Sequence, residues 1–274
     1  MTDNINRQRQ RSTGDGMTDQ TTLSVQDSSD NVSSIVGQFK LESEKNQLQL
    51  IPQLASSGEA GLNVLIEFLK THQSNAVNGE FSSSSNGASA SLALVVGKAY
   101  QVVYQANRPS TQEFCQTFFP TGVIPLKSER NIDYQTLQQC LARADFQEAD
   151  NLTRSLLCEL AGEAAIQRKW LYFTEVEQFP STDLNTLNAL WWIHSEGKFG
   201  FSVQRRIWQS VGKDFAKLWP KIGWKNGNNW TQYPDEFIWD LSAPQGHLPL
   251  LNQLRGVRVT ASLFSHPVWS EFNW

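Results

Sequence analysis

The stretch STDLNTLNALWWIHSEGKFGFSVQRRIW, Ser181 to Trp208, decides the fold class of this chain. Leu184, Leu187, Leu190, Trp191 and Ile193 recur at helical spacing, so its first half reads as a helix opened by Ser181, Thr182 and Asp183. Gly197 ends that helix, and the period resumes from Phe199 to Val211. Working upstream, Asp133 precedes Tyr134, Leu137 and Leu141, and Asp145 precedes Phe146, Ala149, Leu152, Leu156 and Leu157. Each Asp can accept free N–H groups at the start of an amphipathic helix. Downstream, Phe215 to Trp219 supplies another helical turn, with Pro220 as its stop. The segment KNGNNWTQYPDEFIWDLSAPQGHLP, residues 225–249, is loop by composition. The fold class predicted is all-α.

The N-terminal half carries the same period more sparsely. Val32, Ile35, Val36 and Phe39, then Leu48, Leu50, Ile51 and Leu54, then Leu62, Val64, Leu65, Phe68 and Leu69 predict three short helices. Ser74 to Ser91 is dominated by Ser, Asn, Gly and Ala and reads as a flexible loop between helices. The pattern returns at Leu92, Leu94, Val95, Ala99, Val102 and Val103, after which Pro109, Pro120 and Pro125 interrupt the chain. With 274 residues, and roughly 100 to 200 residues per domain as a guide, two units are expected. The division is a disordered tail over 1–31, a small helical bundle over 32–125, a second helical domain over 129–266 and a C-terminal tail over 267–274.

Composition removes several function classes. A net charge of −4 gives no basis for a nucleic-acid partner. Cys115, Cys140 and Cys158 are odd in number and widely spaced, which excludes a disulfide framework and reads as small core residues. No apolar run is long enough to span a bilayer. There is no GxSxG elbow, HExxH, phosphate-binding GxxxxGK or GxGxxG, and His72, His194, His247 and His266 lie far apart, so no metal site is expected. A hydrolase would need Ser195 or Ser202 to meet His194 or His247, and nothing in the spacing asks for it.

The aromatic residues point to binding instead. All ten Trp lie beyond residue 169. Trp191, Phe201 and Trp208 fall at helical spacing and are expected in the core. Trp230, Tyr233, Phe237 and Trp239 sit on a loop, where side chains are ordinarily exposed, so they should line a surface for a flat apolar ligand or a peptide. Asn252, Arg255 and Arg258 follow at three-residue intervals. Two guanidiniums beside an apolar cleft suit carboxylates at a ligand's rim, although spacing alone favours a solvated basic face.

The strings FTEVEQFPSTDLNTLNALW, SEGKFGFSVQRRIW, GW and GHLPLLNQLRGVR, in this order, resemble the Genomes-uncoupled-four family over about residues 129 to 266. The resemblance implies an all-helical domain shaped like a cupped hand, whose apolar palm binds protoporphyrin IX and magnesium protoporphyrin IX. It implies a non-catalytic stimulator of magnesium chelatase that acts at the H subunit in chlorophyll biosynthesis. Carried over by motif, Phe173 and Val176 should lie on the palm with Phe237, while Asn252, Arg255 and Arg258 should meet the propionates. Tyr233 stands where family members commonly show a Trp. A helical N-terminal unit and a chain ending at Trp274 are like those of cyanobacterial members, so the expected setting is a cyanobacterial cytoplasm, partly thylakoid-associated, with a monomer in peripheral contact with the membrane. The alternative is an interaction module whose aromatic cleft holds a peptide.

Overall fold

A computed structural model describes residues 33–78, 88–251 and 256–274. Helix α1 covers 33–41, followed by α2 (Glu44–Ser56), α3 (Gly58–Asn78), α4 (Ala88–Gln105) and α5 (Pro109–Phe118). The three helices expected before residue 73 are present. The predicted loop over 74–91 is corrected at both ends, because α3 runs on to Asn78 and α4 begins at Ala88. Alanines at 76, 88 and 90 favour continuing the backbone ladder. The centre of that loop and the predicted tail over 1–31 lie outside the described residues.

Helix α4 is the spine of this bundle, burying Ala93, Val95, Val96, Ala99, Tyr100 and Val103. Its other face packs on the second unit. Gly97 permits the approach, since a Cβ there would lie 2.5 Å from Ile193 Cγ1 and 2.8 Å from the Ile193 carbonyl oxygen. Gln101 seals the seam by donating from Nε2 to the carbonyl oxygens of Leu141 and His194, each at 2.9 Å. The Leu141 carbonyl oxygen also accepts from Ala144 N at 3.0 Å, so it is chiefly the His194 carbonyl oxygen that depends on Gln101 in this dry interior.

The second unit contains α6 (Gln135–Ala142), α7 (Phe146–Ala161), α8 (Glu163–Arg168), α9 (Phe173–Val176), α10 (Ser181–His194), α11 (Phe201–Ser210), α12 (Phe215–Lys221), α13 (Arg258–Ser265) and α14 (Val268–Glu271). A two-residue antiparallel pair, β1 (Lys225–Asn226) and β2 (Asn229–Trp230), is the one sheet among the described residues. Helix α10 is buried on every side from Asp183 to His194, which marks a central helix. It packs against α4, α6, α11 and α14.

Capping follows the sequence in part. Asp145 caps α7, accepting from Glu148 N at 3.3 Å. Asp133 accepts from Gln135 N at 2.8 Å, one residue before the cap position held by Tyr134. Asp183 does not cap α10: fully buried, it accepts from Ser128 Oγ, from Glu129 N at 2.9 Å and from the Tyr134 hydroxyl at 2.8 Å. One carboxylate thus ties the chain at 128–134 to the central helix. Pro220 does not stop its helix either, because α12 continues to Lys221.

The segment 267–274 is not a tail. Trp269 and Trp274 are buried, Trp274 lies edge-on to Trp192 at 5.5 Å, and its Nε1 donates to Asn185 Oδ1 at 2.7 Å. Two indoles closing over α10 bury far more apolar surface than a free terminus could leave in water. Trp191, Phe201 and Trp208 are core as expected, and all three cysteines are buried. Three of the four histidines, His194, His247 and His266, are buried too.

Candidate functional site

The loop aromatics are held in place by a buried scaffold. Trp219 and Trp224 stack with centroids 5.4 Å apart and planes 5° from parallel, and Trp230 leans on Trp219 at 5.9 Å. Trp224 Nε1 donates to the His247 carbonyl oxygen at 2.7 Å, and Thr231 N donates to the Trp224 carbonyl oxygen at 3.1 Å. His247 staples the loop from beneath. Its Nδ1 lies 2.6 Å from the Ile222 carbonyl oxygen, while Nε2 accepts from Ile238 N at 3.2 Å. Those roles define the neutral tautomer with the proton on Nδ1, and burial pushes the imidazole pKa down in the same sense. Phe237 packs on the His247 ring at 5.2 Å, and Tyr233, Phe237 and Trp239 form a cluster with centroids 5.8 to 6.3 Å apart.

This scaffold is joined to α11 by two glycines and an amide. Gly200 N donates to the Leu248 carbonyl oxygen at 3.0 Å, and Gly246 N to the Lys198 carbonyl oxygen at 2.9 Å. Gly200 has φ 120°, a conformation that a side chain would strain. Gln204, fully buried, donates to the carbonyl oxygens of Gly246 and Pro249 at 3.0 and 2.8 Å. The KFGFSVQ and GHLP strings are therefore two halves of one structural element.

Between this element, α7 and the link from α8 to α9 lies a cavity of about 280 Å3, just under the roughly 300 to 1,000 Å3 usual for ligand clefts. Arg154, Leu157 and Cys158 present one face of α7, at the i, i+3 and i+4 positions that share a side of a helix. Lys169, Trp170 and Leu171 form the second wall. Trp230, Thr231, Gln232, Tyr233 and Phe237 form the third, and Leu250, Leu251 and Val259 the floor. Phe237 is buried, whereas Tyr233 is 43% exposed at the mouth. Larger depressions of about 730 and 660 Å3 occur on the N-terminal bundle, where Phe39, Val64, Phe68 and Leu92 stand among charged side chains, and where the bundle meets α6, where the lining is rich in amides; neither has the indole walls of the first cavity.

The cations here are ordered. The Arg154 guanidinium lies over the Tyr233 ring at 4.6 Å and donates from Nη2 to its hydroxyl at 2.8 Å, and that hydroxyl donates to Asn151 Oδ1 at 2.7 Å. Arg168 sits over Tyr172 and Trp170 at 4.3 and 5.0 Å and pairs with Glu175 at 2.7 Å, fixing the second wall from behind.

Of the seven residues expected to bind ligand, Tyr233 and Phe237 line this cavity. Phe173 is half-buried beside it, with the Arg258 guanidinium 5.6 Å from its ring centroid. Val176 is 1% exposed and faces the core, because α9 is a single turn with only one inward side. Arg258 is exposed at the start of α13. Asn252 and Arg255 lie outside the described residues. Arg154, Lys169, Trp170, Leu250 and Val259 escaped the sequence reading. The i, i+3, i+4 set on α7 was a legible signal, while the wall at 169–171 depends on a turn at Lys169 with φ 61° that no local pattern announces.

Such a site, with flat aromatic walls on a helical base and cations at the rim, has the shape and lining that suit a planar apolar ligand. Residues 127–267 match the GUN4-like family, and residues 23–120 match the family described as ARM-like repeat domain, GUN4-N terminal. The chain belongs to the GUN4-like family. It is similar to the Ycf53-like protein of Synechocystis, 52% identical across 90% of this chain and all of that one. It also resembles the chloroplastic tetrapyrrole-binding protein of Arabidopsis thaliana, 40% identical over half of this chain and 55% of that one. The solved structure of GUN4 from Chlamydomonas reinhardtii superposes with a TM-score of 0.51 at 41% identity, covering 54% of this chain and 94% of that one.

Proposed function

We propose that this chain binds a tetrapyrrole, protoporphyrin IX or its magnesium complex, in the aromatic cleft and thereby stimulates magnesium chelatase through the H subunit, without performing catalysis itself. The carrying observation is the lining: Trp170, Leu171, Trp230, Tyr233, Phe237 and Leu157 offer flat and branched apolar surface on several sides, with Arg154 and Lys169 at the rim. A macrocycle gains from burial and offset stacking together. Carboxylate side arms need cations that are already oriented, and Arg154 is oriented by Tyr233 and Asn151. The name of the Arabidopsis relative supports the same ligand class. A cyanobacterial cytoplasm with thylakoid contact is the setting we propose for it.

The fit is good at the walls and tight in volume. The cavity takes an edge or one face of the ring, leaving the remainder at the open mouth beside the half-buried Phe173 and the exposed Arg258. Bound magnesium would add a hard cation that prefers oxygen ligands, and the contribution of the side chains described above is to bind and orient the macrocycle. The test is a two-stage assay. Purified protein is titrated with protoporphyrin IX and its magnesium form while the Soret band is followed. The same preparations are then added to magnesium chelatase reconstituted with and without its H subunit. Saturable Soret shifts with H-dependent stimulation are expected; an unmoved Soret band would favour the peptide-binding reading instead.

A further inference from the structure

Beneath the cleft lies a charged group that forms no part of its surface. Asp150, on α7, is fully buried. Its Oδ1 accepts from Leu250 N at 2.6 Å, fixing the floor of the cavity at a point 100 residues away in sequence. Its Oδ2 lies 3.3 Å from Arg154 Nε, close enough for an ion pair but too poorly aligned for a hydrogen bond, so both atoms are left without a hydrogen-bond partner. Arg154 in turn donates to the Tyr233 hydroxyl. Asp150 therefore touches both the floor at Leu250 and the cation that holds the mouth at Tyr233.

We propose that Asp150 is a positioning residue for the cleft: its carboxylate sets the place of Leu250 on one side and of the Arg154–Tyr233 pair on the other, without itself meeting the ligand. This deepens the porphyrin reading and rests on it. A buried carboxylate costs folding free energy, and the Leu250 N–H alone could be satisfied by a neutral acceptor. What the charge acts on is the inner, Nε end of the half-exposed Arg154, whose outer Nη2 end is held by Tyr233 and Asn151. The cost of burial is visible in the carboxyl pKa, pushed up to about 7 by desolvation and drawn back by the Leu250 N–H and Arg154. The groups facing it are Arg154 on its own helix and, beyond Arg154, the Tyr233 phenol, with Lys169 and Cys158 farther along the same cavity. Displacing Leu250 and Arg154 together would change the distance between floor and mouth, the dimension that grips a flat ligand.

The test is a mutant cycle read by Soret titration of the full chain with protoporphyrin IX. Asp150→Asn retains an acceptor for Leu250 N, removes the charge and turns an amide N–H2 in place of an oxygen toward Arg154. It is expected to melt no lower than wild type yet to bind about tenfold more weakly, the order expected for losing one charge-assisted contact. In an Arg154→Ala background the same change should have no further effect, because the charge acts through Arg154. Asp150→Ala also releases Leu250 and should speed hydrogen exchange at that amide. Should Asp150→Asn fail to fold, Arg154→Ala with Asp150 intact provides the comparison, and faster exchange at Leu250 in that variant would contradict the division of roles. Wild-type affinity in Asp150→Asn, or an undiminished loss in the Arg154→Ala background, overturns the proposal while leaving the porphyrin reading intact. No Soret response from the wild type overturns the porphyrin reading, and the proposal with it.

Discussion

Gln204 Nε2 donates to the Pro249 carbonyl oxygen at 2.8 Å, and this contact locks α11 to the floor of the cleft. Its second bond, to Gly246, makes Gln204 the shared anchor of the 246–249 segment. Gln204→Ala leaves two buried carbonyl groups without a donor. At about 1 to 3 kcal/mol for each buried group left unpaired, a loss of roughly 2 to 6 kcal/mol is expected by urea denaturation. Ligand affinity measured below the unfolding transition should fall as well, because Leu250 follows directly.

Phe237 and Tyr233 both line the cavity but differ in burial, and their substitutions should separate stability from binding. Phe237→Ala empties a packed position against His247 and Trp239 and should cost about 3 kcal/mol in thermal melts, near the lower end for Phe truncation. Tyr233 is 43% exposed, so Tyr233→Ala should change stability by about 1 kcal/mol or less while weakening porphyrin binding. Equal melting losses in the two variants would contradict the burial difference.

The pH dependence of stability contains opposed contributions, His194 and Asp150 among them. His194 is buried and its pKa is pushed from 6.5 down to about 4, so the unfolded state binds the extra proton and stability rises with pH across that interval. Asp150 is pushed from 3.8 up to about 7, so the folded state binds the proton and stability falls as pH rises across that interval. Over their shared range the slopes oppose each other, each up to about 1.4 kcal/mol per pH unit. Asp150→Asn should therefore unmask a stability that climbs with pH, read from urea midpoints across the range. His194→Gln should shift the slope in the opposite direction.

The seam between the two units can be loosened without touching the cleft. Gly97→Ala would place a methyl group against Ile193, and overpacking of this kind costs about 1 to 3 kcal/mol. Calorimetry should show a lower or split transition, while affinity per folded molecule stays at the wild-type value. A changed affinity would mean that the N-terminal bundle reaches the site.

Much of the helical plan was legible, because α6, α7, α10 and α11 each carry their apolar stripe in the sequence. The central burial of α10 was foreshadowed by Leu190, Trp191 and Ile193, whose neighbours are apolar as well. The cavity was legible as a class of surface, through aromatics on a loop, of which Trp230, Tyr233 and Phe237 line it. What the pattern could not provide was tertiary: a buried Asp150 reaching Leu250, a left-handed turn at Lys169, and a closing segment in which Trp269 and Trp274 pack rather than trail. Val176 shows the same limit, since one turn of helix carries too few residues to tell a cleft face from a core face.

The most direct test of the central claim is occlusion of the cleft. Gln232 is exposed and lines the cavity, so Gln232→Trp adds bulk at the mouth with little effect on the core. Soret titrations with protoporphyrin IX are run side by side on wild type and variant, with circular dichroism to confirm matching folds. The account predicts a saturable one-to-one shift in the wild type and binding weakened at least about tenfold in the variant, since the indole occupies space the ring needs. Equal saturable binding by both proteins would contradict it, because the ligand would then lie somewhere other than between α7 and the aromatic loop.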